Sequence, residues 1–214
     1  SDLTGAGFTE EISPYMDLLT HSLGPQIGRV LYGFGQLRIN LDNINLAVDK
    51  TKKVVFALKS YAYSRGENAE KMEVDLAENI DTVLTIYHNQ LKYGINLTKN
   101  LAQLPPVKVY ADELAQVWTN ILQNGIQAMK GEGDLLVELY QEGHYAVVAI
   151  QDSGEGIPPE HQEKIFEPFF TTKKQGEGTG LGLDICKKII EKHGGDIRLT
   201  SEPGRTRFEI LLPL

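Results

Sequence analysis

Two glycine clusters in the second half of the chain contain residue types that could do chemistry. Asp152-Ser153-Gly154-Glu155-Gly156 ends an apolar run, and Gly178-Thr179-Gly180-Leu181-Gly182-Leu183 follows it. A carboxylate at the end of an apolar strand can accept a hydrogen bond from the exocyclic amine of adenine. Glycines let the backbone approach a base or a ribose closely, because they have no Cβ. Together the two clusters predict a nucleotide pocket with Asp152 at its base end.

The second cluster leads directly into a segment with helical periodicity, from Leu183 to Ile190. Free backbone N–H groups at a helix N-terminus are suited to bind phosphate, which places the phosphates at this end of the pocket. The chain has a net charge of -8. A polyphosphate ligand would therefore need Mg²⁺ and backbone dipoles for much of its charge neutralisation.

Two asparagines stand one turn apart in a helix predicted from about Asp112 to Lys130. The apolar stripe of this helix includes Leu114, Val117 and Ile121, whereas Asn120 and Asn124 lie on a neighbouring face. Asparagine is a mediocre helix former, so this pair requires a reason. Two roles are compatible with this pattern: the asparagines could be hydrogen-bonded amides within the core, or they could bind a ligand.

The elements around these residues predict an α+β domain. The strands at 135–140 and 145–150 form a hairpin around Gly143, and the second strand runs into Asp152. We expect an α/β sandwich in which helices cover one face of a mixed sheet. The other expected elements are a helix from Leu76 to about Lys92 capped by Asp75, a strand at 95–98, a loop at 105–110, a short helix from Pro158-Pro159, a packed aromatic segment at 165–170, and strands at 196–200 and 207–212.

Residues 1–70 are rich in helical spacing and poor in strand signals. Apolar residues recur three and four positions apart from Ile27 to Tyr61, and Gly24-Pro25 indicates a break before them. A long amphipathic helix without a sheet to pack on favours a helical hairpin that pairs with a second copy into a bundle. A helical linker or adaptor without chemistry of its own is the alternative. The chain thus divides into a helical region at 1–70 and a ligand-binding domain at 71–214.

Composition excludes several classes of function. The 214 residues include no apolar run long enough to cross a membrane, so no direct membrane contact is expected. The negative charge and the lack of a basic stripe argue against a nucleic-acid partner. The single Cys186 cannot form an internal disulfide and suits a reducing cytoplasm. The abrupt start at Ser1 is what we expect of a segment of a longer protein.

Four sequence blocks together resemble one family. They are Asn120-Ile121-Leu122-Gln123-Asn124, Asp152-Ser153-Gly154-Glu155-Gly156, Phe166-Glu167-Pro168-Phe169-Phe170 and Gly178-Thr179-Gly180-Leu181-Gly182-Leu183. In this order they are similar to the N, G1, F and G2 boxes in the ATP-binding catalytic domain of sensor histidine kinases. That domain is part of the superfamily that includes gyrase-type, Hsp90-type and MutL-type ATPases. The resemblance covers residues from about 75 to 214.

The resemblance implies roles for the matching residues. Asn124 would bind the Mg²⁺ that bridges the ATP phosphates, and Asp152 would accept a hydrogen bond from the adenine amine. Residues 171–178 would form a lid in which Lys173 or Lys174 reaches phosphate, with a solvated loop as the alternative. The residues implied to shape the base and phosphate contacts are Gly154, Gly156, Gly178, Thr179, Gly180, Leu181 and Gly182.

Asn120 distinguishes among branches of the superfamily. Gyrase-type and Hsp90-type ATPases have a glutamate at this catalytic position, where it activates water. An asparagine cannot take a proton, so Asn120 disfavours a hydrolase and suits a kinase whose acceptor is already a nucleophile. A slow ATPase is the second enzyme hypothesis.

The phosphoacceptor implied by the resemblance is His21, which precedes Pro25 as in the family's acceptor block. Ser22 follows His21 where the family has an acidic residue. The resemblance implies transfer of the γ-phosphate of ATP to a histidine and then to an aspartate of a response-regulator receiver, within a homodimer formed by the N-terminal helices of a cytoplasmic sensor. The alternative is a degenerate kinase that acts as a nucleotide-dependent dimeric binding module.

Overall fold

The structure is a computed structural model that describes residues 24–63, 70–173 and 178–214. The chain divides into two compact units, Ser1–Lys59 and Ser60–Leu214. Within the described residues, no helix combines the length and the hydropathy needed to span a membrane. His21, Lys174 and the first arm of the predicted hairpin lie outside the described residues.

A single long helix, α1, runs from Gly24 to Tyr63. Gly24-Pro25, which the sequence predicts as a break, are the first residues of the described part of this helix. Many apolar side chains of α1 are exposed to solvent in the protomer, among them Phe34, which is 67% exposed.

The second unit is built on a five-stranded sheet of order β2-β4-β5-β7-β6. β2 pairs with β4 in parallel, and the other neighbours are antiparallel, so the sheet is mixed. This confirms the predicted α+β class. The elements are β1 (Met72–Val74), α2 (Leu76–Leu91), β2 (Ile95–Leu101), β3 (Val107–Val109), α3 (Ala111–Ala128), β4 (Gly133–Glu142), β5 (Tyr145–Asp152), α4 (Pro159–Gln162), a 3₁₀ turn (Lys164–Phe166), α5 (Gly182–Lys192), β6 (Asp196–Glu202) and β7 (Arg205–Pro213).

The core lies between the sheet and helices α2, α3 and α5. Residues 146–150 of β5 are all buried, since β5 is the central strand of the sheet. Helix α3 contributes Trp118, which is fully buried and donates its indole N–H to Asn79 Oδ1 of α2 at 2.7 Å. Burying a large apolar side chain stabilises a fold by about 1.5–3 kcal/mol. The packing therefore holds α3 firmly against β5, the strand that ends at Asp152.

The other face of the sheet carries polar side chains. Arg207 of β7 forms ion pairs with Glu138 at 2.8 Å and Glu209 at 3.1 Å, and Tyr140 donates to Glu209 at 2.8 Å. Charged and hydroxyl side chains paired along and across strands in this way suit a sheet face that is not covered by helices. The helices thus cover one face of the sheet, as predicted.

The segment predicted as a loop at 105–110 contains a strand instead. Val107 and Val109 are buried and Lys108 is exposed, and this strand, β3, pairs antiparallel with Met72–Val74. The prediction was wrong because a three-residue strand after two prolines is too short to show periodicity. This small second sheet precedes α3, the helix with the two asparagines.

Candidate nucleotide site

The Asp152 carboxylate lies at the end of β5, buried beneath α3. Its side chain is 6% exposed, and Oδ1 accepts the Gly154 N–H at 2.9 Å. Burial raises the pKa of Asp152, and the bond from Gly154 partly opposes this shift. A Cβ placed on Gly125 of α3 would lie 3.3 Å from Oδ2. The N-box helix therefore passes directly over the carboxylate that is predicted to bind the base.

The turn after Asp152 is held in place from several sides. Ser153 Oγ accepts the Asp134 N–H at 2.8 Å, and the Gly154 carbonyl accepts the Gly204 N–H at 2.9 Å. A Cβ on Gly154 would lie 2.7 Å from the Ala128 Cβ. These contacts leave room only for glycine at position 154, so the backbone, rather than side chains, forms this wall of the site.

The two asparagines of α3 have different partners. Asn120 Nδ2 donates to the Gly182 carbonyl at 3.1 Å and approaches Cys186 Sγ at 3.6 Å. Asn124 Oδ1 instead accepts a hydrogen bond from Lys173 Nζ at 3.2 Å. Asn120 thus ties α3 to the start of α5, whereas Asn124 presents its oxygen to a cation.

Cys186 lies behind the site. Burial raises the pKa of its thiol to about 12. The thiol is therefore neutral near neutral pH, and a neutral buried thiol is not a nucleophile.

Helix α5 begins at Gly182 within the second glycine cluster. Its N-cap residue, Leu181, forms no side-chain capping bond. The first N–H groups of a helix have no intrahelical partners, so an uncapped start suits phosphate oxygens. Asp184, in the first turn, is buried and paired with Lys188 at 2.9 Å. This pairing offsets a negative charge near the proposed phosphate end.

The residues before α5 pack closely on the F-box segment. Gly180 has a φ of 64°, and a Cβ placed on it would lie 2.4 Å from the Phe169 carbonyl carbon. A Cβ on Gly178 would lie 2.8 Å from Thr171 Oγ1. Lys173 reaches from this region to Asn124, so the structure brings together the predicted Mg²⁺ ligand and one of the two predicted phosphate-binding lysines.

The chain is similar to known proteins in both sequence and fold. The family described as histidine kinase-, DNA gyrase B-, and HSP90-like ATPase matches residues 110–214. The catalytic domain of the histidine kinase ThkA, in a nucleotide-free form, superposes with a TM-score of 0.62 at 35% sequence identity, and the match covers 68% of this chain and 96% of that domain. The chain belongs to the histidine kinase-like ATPase family.

Curated relatives of this histidine kinase-like ATPase are longer proteins. Sporulation kinase C of Bacillus subtilis is 34% identical over 143 residues, which are 65% of this chain and 32% of that protein. The signal transduction histidine-protein kinase AtoS of Escherichia coli is 33% identical over 171 residues, which are 78% of this chain and 28% of that protein. The chain thus spans about a third or less of the length of these relatives. The identities and the family match confirm the predicted resemblance to sensor histidine kinases.

The F box of this histidine kinase-like ATPase is less buried than the sequence predicted. Ile165 is buried, but Phe169 is 72% exposed and has a φ of 66°. The prediction that this segment packs was therefore wrong for Phe169. Phe169 adopts a left-handed backbone conformation, which residue spacing does not predict, and Gly180 approaches its backbone closely.

Gln127 is a residue of the site that sequence reasoning missed. Its Oε1 accepts a hydrogen bond from Lys173 Nζ at 2.5 Å, beside Asn124. Gln127 lies three positions after Asn124, a spacing that places both side chains on one face of a helix. That spacing was visible in the sequence, but the lysine that joins them comes from far along the chain.

His193 ties the far end of α5 to the start of α3. Nε2 accepts the Tyr110 N–H at 3.0 Å, so Nδ1 holds the proton and donates to the Ile189 carbonyl at 2.7 Å. Burial lowers the pKa of His193, and the hydrogen bond to the Ile189 carbonyl partly opposes this shift. Only the bond from the Tyr110 N–H requires the neutral ring, because Nε2 must then be an acceptor. Charged groups that also act on the ring are Glu113, which raises its pKa, and Lys71 and Lys192, which lower it.

We expect His193 to make the fold lose stability in mild acid. With a folded-state pKa below the unfolded value, the unfolded chain binds the proton first as pH falls below about 6.5. Stability from this group is therefore complete above that pH and declines below it. Urea unfolding from about pH 8 to about pH 5 should show a smaller decline for His193→Gln than for wild type. His144→Gln, at an exposed turn, controls for the substitution, and an unchanged decline in His193→Gln would contradict the assignment.

Proposed function

We propose that this chain is the kinase core of a two-component sensor. Residues 71–214 bind Mg-ATP and deliver its γ-phosphoryl group to a histidine, from which it passes to an aspartate of a response-regulator receiver. Residues 1–70 form the helical dimerisation region. Membership of the histidine kinase-like ATPase family supports the ATP site, and the geometry of α3 supports its division into a base end and a phosphate end.

One observation carries the proposal: helix α3 contacts both the base end and the phosphate end of the predicted site. Gly125 lies against Asp152 at the base end, and Asn120 bonds to Gly182 at the phosphate end. Asn124 lies between them along the helix and presents an oxygen that already accepts a cation. An adenine nucleotide that lies along this helix would meet three groups in turn. Asp152 would accept from its amine, the Asn124 oxygen would face the metal bound to its phosphates, and the uncapped N–H groups of α5 would face the phosphates themselves.

The residues present fit Mg²⁺ rather than a metal held by the protein alone. In the described part of the chain, no group of three or more His, Cys, Asp or Glu side chains could hold a metal ion. Mg²⁺ is commonly bound by one or two protein oxygens together with substrate phosphates and water, and Asn124 Oδ1 is such an oxygen. When bound, the metal would neutralise charge that develops on the transferred phosphoryl group.

The protein's own part in phosphoryl transfer is positioning. Asn120 does not act as a base, because an amide cannot take a proton and its Nδ2 is bonded to the Gly182 carbonyl. An acceptor that needs no deprotonation suits this site, and a neutral imidazole nitrogen is such a nucleophile. The nitrogen forms a bond to the γ-phosphorus while the bond to the bridging oxygen breaks and ADP leaves.

Helix α1 supports assembly into a homodimer. Val30, Phe34, Leu37, Leu41, Ile44 and Val48 are all exposed in the protomer. Their spacing alternates between four and three residues, which is the a/d pattern of a coiled coil. Two copies that pack along this seam would bury apolar surface that a single protomer leaves in water.

Phosphorylation of the purified chain tests the proposal directly. We would incubate it with Mg²⁺ and γ-labelled ATP, then test the labelled protein for acid lability and base stability. The variants are His21→Ala and Asn124→Ala, with Asn100→Ala on an exposed strand as the control. The expected result is acid-labile, base-stable label that is lost in both His21→Ala and Asn124→Ala and retained in Asn100→Ala.

The other outcomes separate the rival functions. Label that survives His21→Ala but not Asn124→Ala would place the acceptor elsewhere in the chain. Steady release of phosphate without labelled protein would support a slow ATPase. ATP binding with neither label nor release would favour the nucleotide-dependent dimeric binding module, a reading motivated by Ser22 in place of an acidic residue after His21.

A further inference from the structure

The ammonium group of Lys173 lies at the oxygen that is proposed to bind Mg²⁺. Nζ donates to Asn124 Oδ1 at 3.2 Å and to Gln127 Oε1 at 2.5 Å. Both acceptors belong to α3, whereas Lys173 follows the F box. A positive charge from the polypeptide therefore lies where a divalent cation would lie when nucleotide is bound.

The backbone of Lys173 is also held in place by a hydrogen bond. Its backbone N–H donates to Thr171 Oγ1 at 3.2 Å, and that same oxygen limits the space at Gly178. Asn124 and Gln127 are three residues apart on α3 and face the same side. The backbone turn and the two acceptors together direct the ammonium group to one place.

We propose that Lys173 is an internal counter-cation that occupies Asn124 Oδ1 in the nucleotide-free protein, and that Gln127 is the positioning residue that keeps it there. This inference rests on the proposed function, because it takes Asn124 as the metal ligand. A charge-assisted hydrogen bond is stronger than a neutral one, so the contact holds even at a solvated site.

The arrangement has a consequence for nucleotide binding. Asn124 Oδ1 cannot serve Lys173 and a metal ion equally, so the ammonium group of Lys173 would move toward the phosphates when Asn124 holds Mg²⁺. Gln127 Oε1 remains as an acceptor and keeps Lys173 at the phosphate end. Without the metal, Lys173 is the cation already in place for the phosphates, and the protein should retain part of its affinity for metal-free ATP.

The test compares ATP affinity with and without Mg²⁺ by titration calorimetry. The measured quantity is the ratio of the dissociation constant in chelator to the dissociation constant in Mg²⁺. We expect this ratio to rise about tenfold in Lys173→Met and about threefold in Gln127→Ala, because metal-free binding loses its cation. Gln127→Ala should have no further effect in the Lys173→Met background. Gln141→Ala, in the β4–β5 hairpin, should leave the ratio unchanged.

Each outcome decides a different question. Unchanged ratios in both variants, with normal affinity for Mg-ATP, would overturn the counter-cation proposal and leave the kinase proposal intact. Independent, additive effects of Gln127→Ala and Lys173→Met would overturn the positioning role of Gln127. Lack of ATP binding by the wild-type protein would instead refute the proposed function itself. Adenosine, which has no phosphates, should bind all variants alike.

Discussion

Replacing Asp152 with asparagine is expected to lower the affinity for ATP by about a hundredfold, which corresponds to roughly 2.7 kcal/mol. Asp152 Oδ1 already accepts the Gly154 N–H. An asparagine that keeps this bond through its oxygen must direct its NH₂ group toward the base. The amine of adenine would then meet a donor instead of an acceptor, and a buried donor without a partner is costly.

Calorimetric titration with ATP and GTP would measure this effect. Asp152→Asn should lose preference for ATP over GTP, since the oxygen of guanine at the corresponding position accepts a hydrogen bond. Asp196→Asn provides the same chemical change at an exposed residue, whose Oδ1 accepts the Ile197 N–H at 2.8 Å, and it should bind ATP as wild type does. Equal ATP affinity in Asp152→Asn and wild type would show that this carboxylate does not bind the base.

Replacing Gly180 with alanine is expected to reduce ATP affinity more than tenfold and to leave adenosine affinity within about threefold of wild type. Two effects combine at this position. The φ of 64° is unfavourable for any residue with a Cβ, and the new Cβ would lie 2.4 Å from the Phe169 backbone. Because backbone cannot rotate away as a side chain can, the segment that leads into α5 must shift, and the phosphate end shifts with it.

Gly131→Ala separates these two effects. Gly131 has a φ of 88°, but a Cβ there would meet nothing within 4 Å. Gly131→Ala therefore introduces the backbone strain, which lowers stability by about 1 kcal/mol, but it does not introduce a steric clash like that between a Cβ at position 180 and Phe169. Thermal unfolding would measure the stability of both variants, and calorimetry would measure their ligand affinities. If Gly180→Ala binds ATP as well as Gly131→Ala does, the contact with Phe169 does not shape the phosphate end.

Sequence patterns predicted the long elements that carry the predicted site residues. The helix that carries Asn120 and Asn124 has a regular apolar stripe, and β5 is a continuous apolar run that ends at Asp152, so both were recognisable. Asp75 was correctly predicted as a cap, since its Oδ1 accepts N–H groups from Ala77 and Glu78 at 2.8 and 3.2 Å. These features depend on neighbours within a few residues, which is what a sequence displays.

The features that escaped prediction depend on distant parts of the chain. β3 is stabilised by pairing with β1, and neither strand is long enough to have a period. Phe169 is exposed and has a left-handed backbone conformation, and a glycine of the second cluster approaches that backbone closely. The role of Gln127 appears only when Lys173 lies beside it. None of these effects has a local signature in residue type or spacing.

Helix α3 also sets the distance between the two ends of the predicted site. Asn120 and Gly125 are five residues apart, which corresponds to about 7.5 Å along a helix axis. One of them contacts the glycine that begins α5 and the other lies against the carboxylate at the end of β5. In the proposed site, the separation between the base end and the phosphate end is thus set by the rise of a packed helix rather than by a loop. A tilt of helix α3 would therefore change the positions of the base end and the phosphate end of the proposed site at the same time.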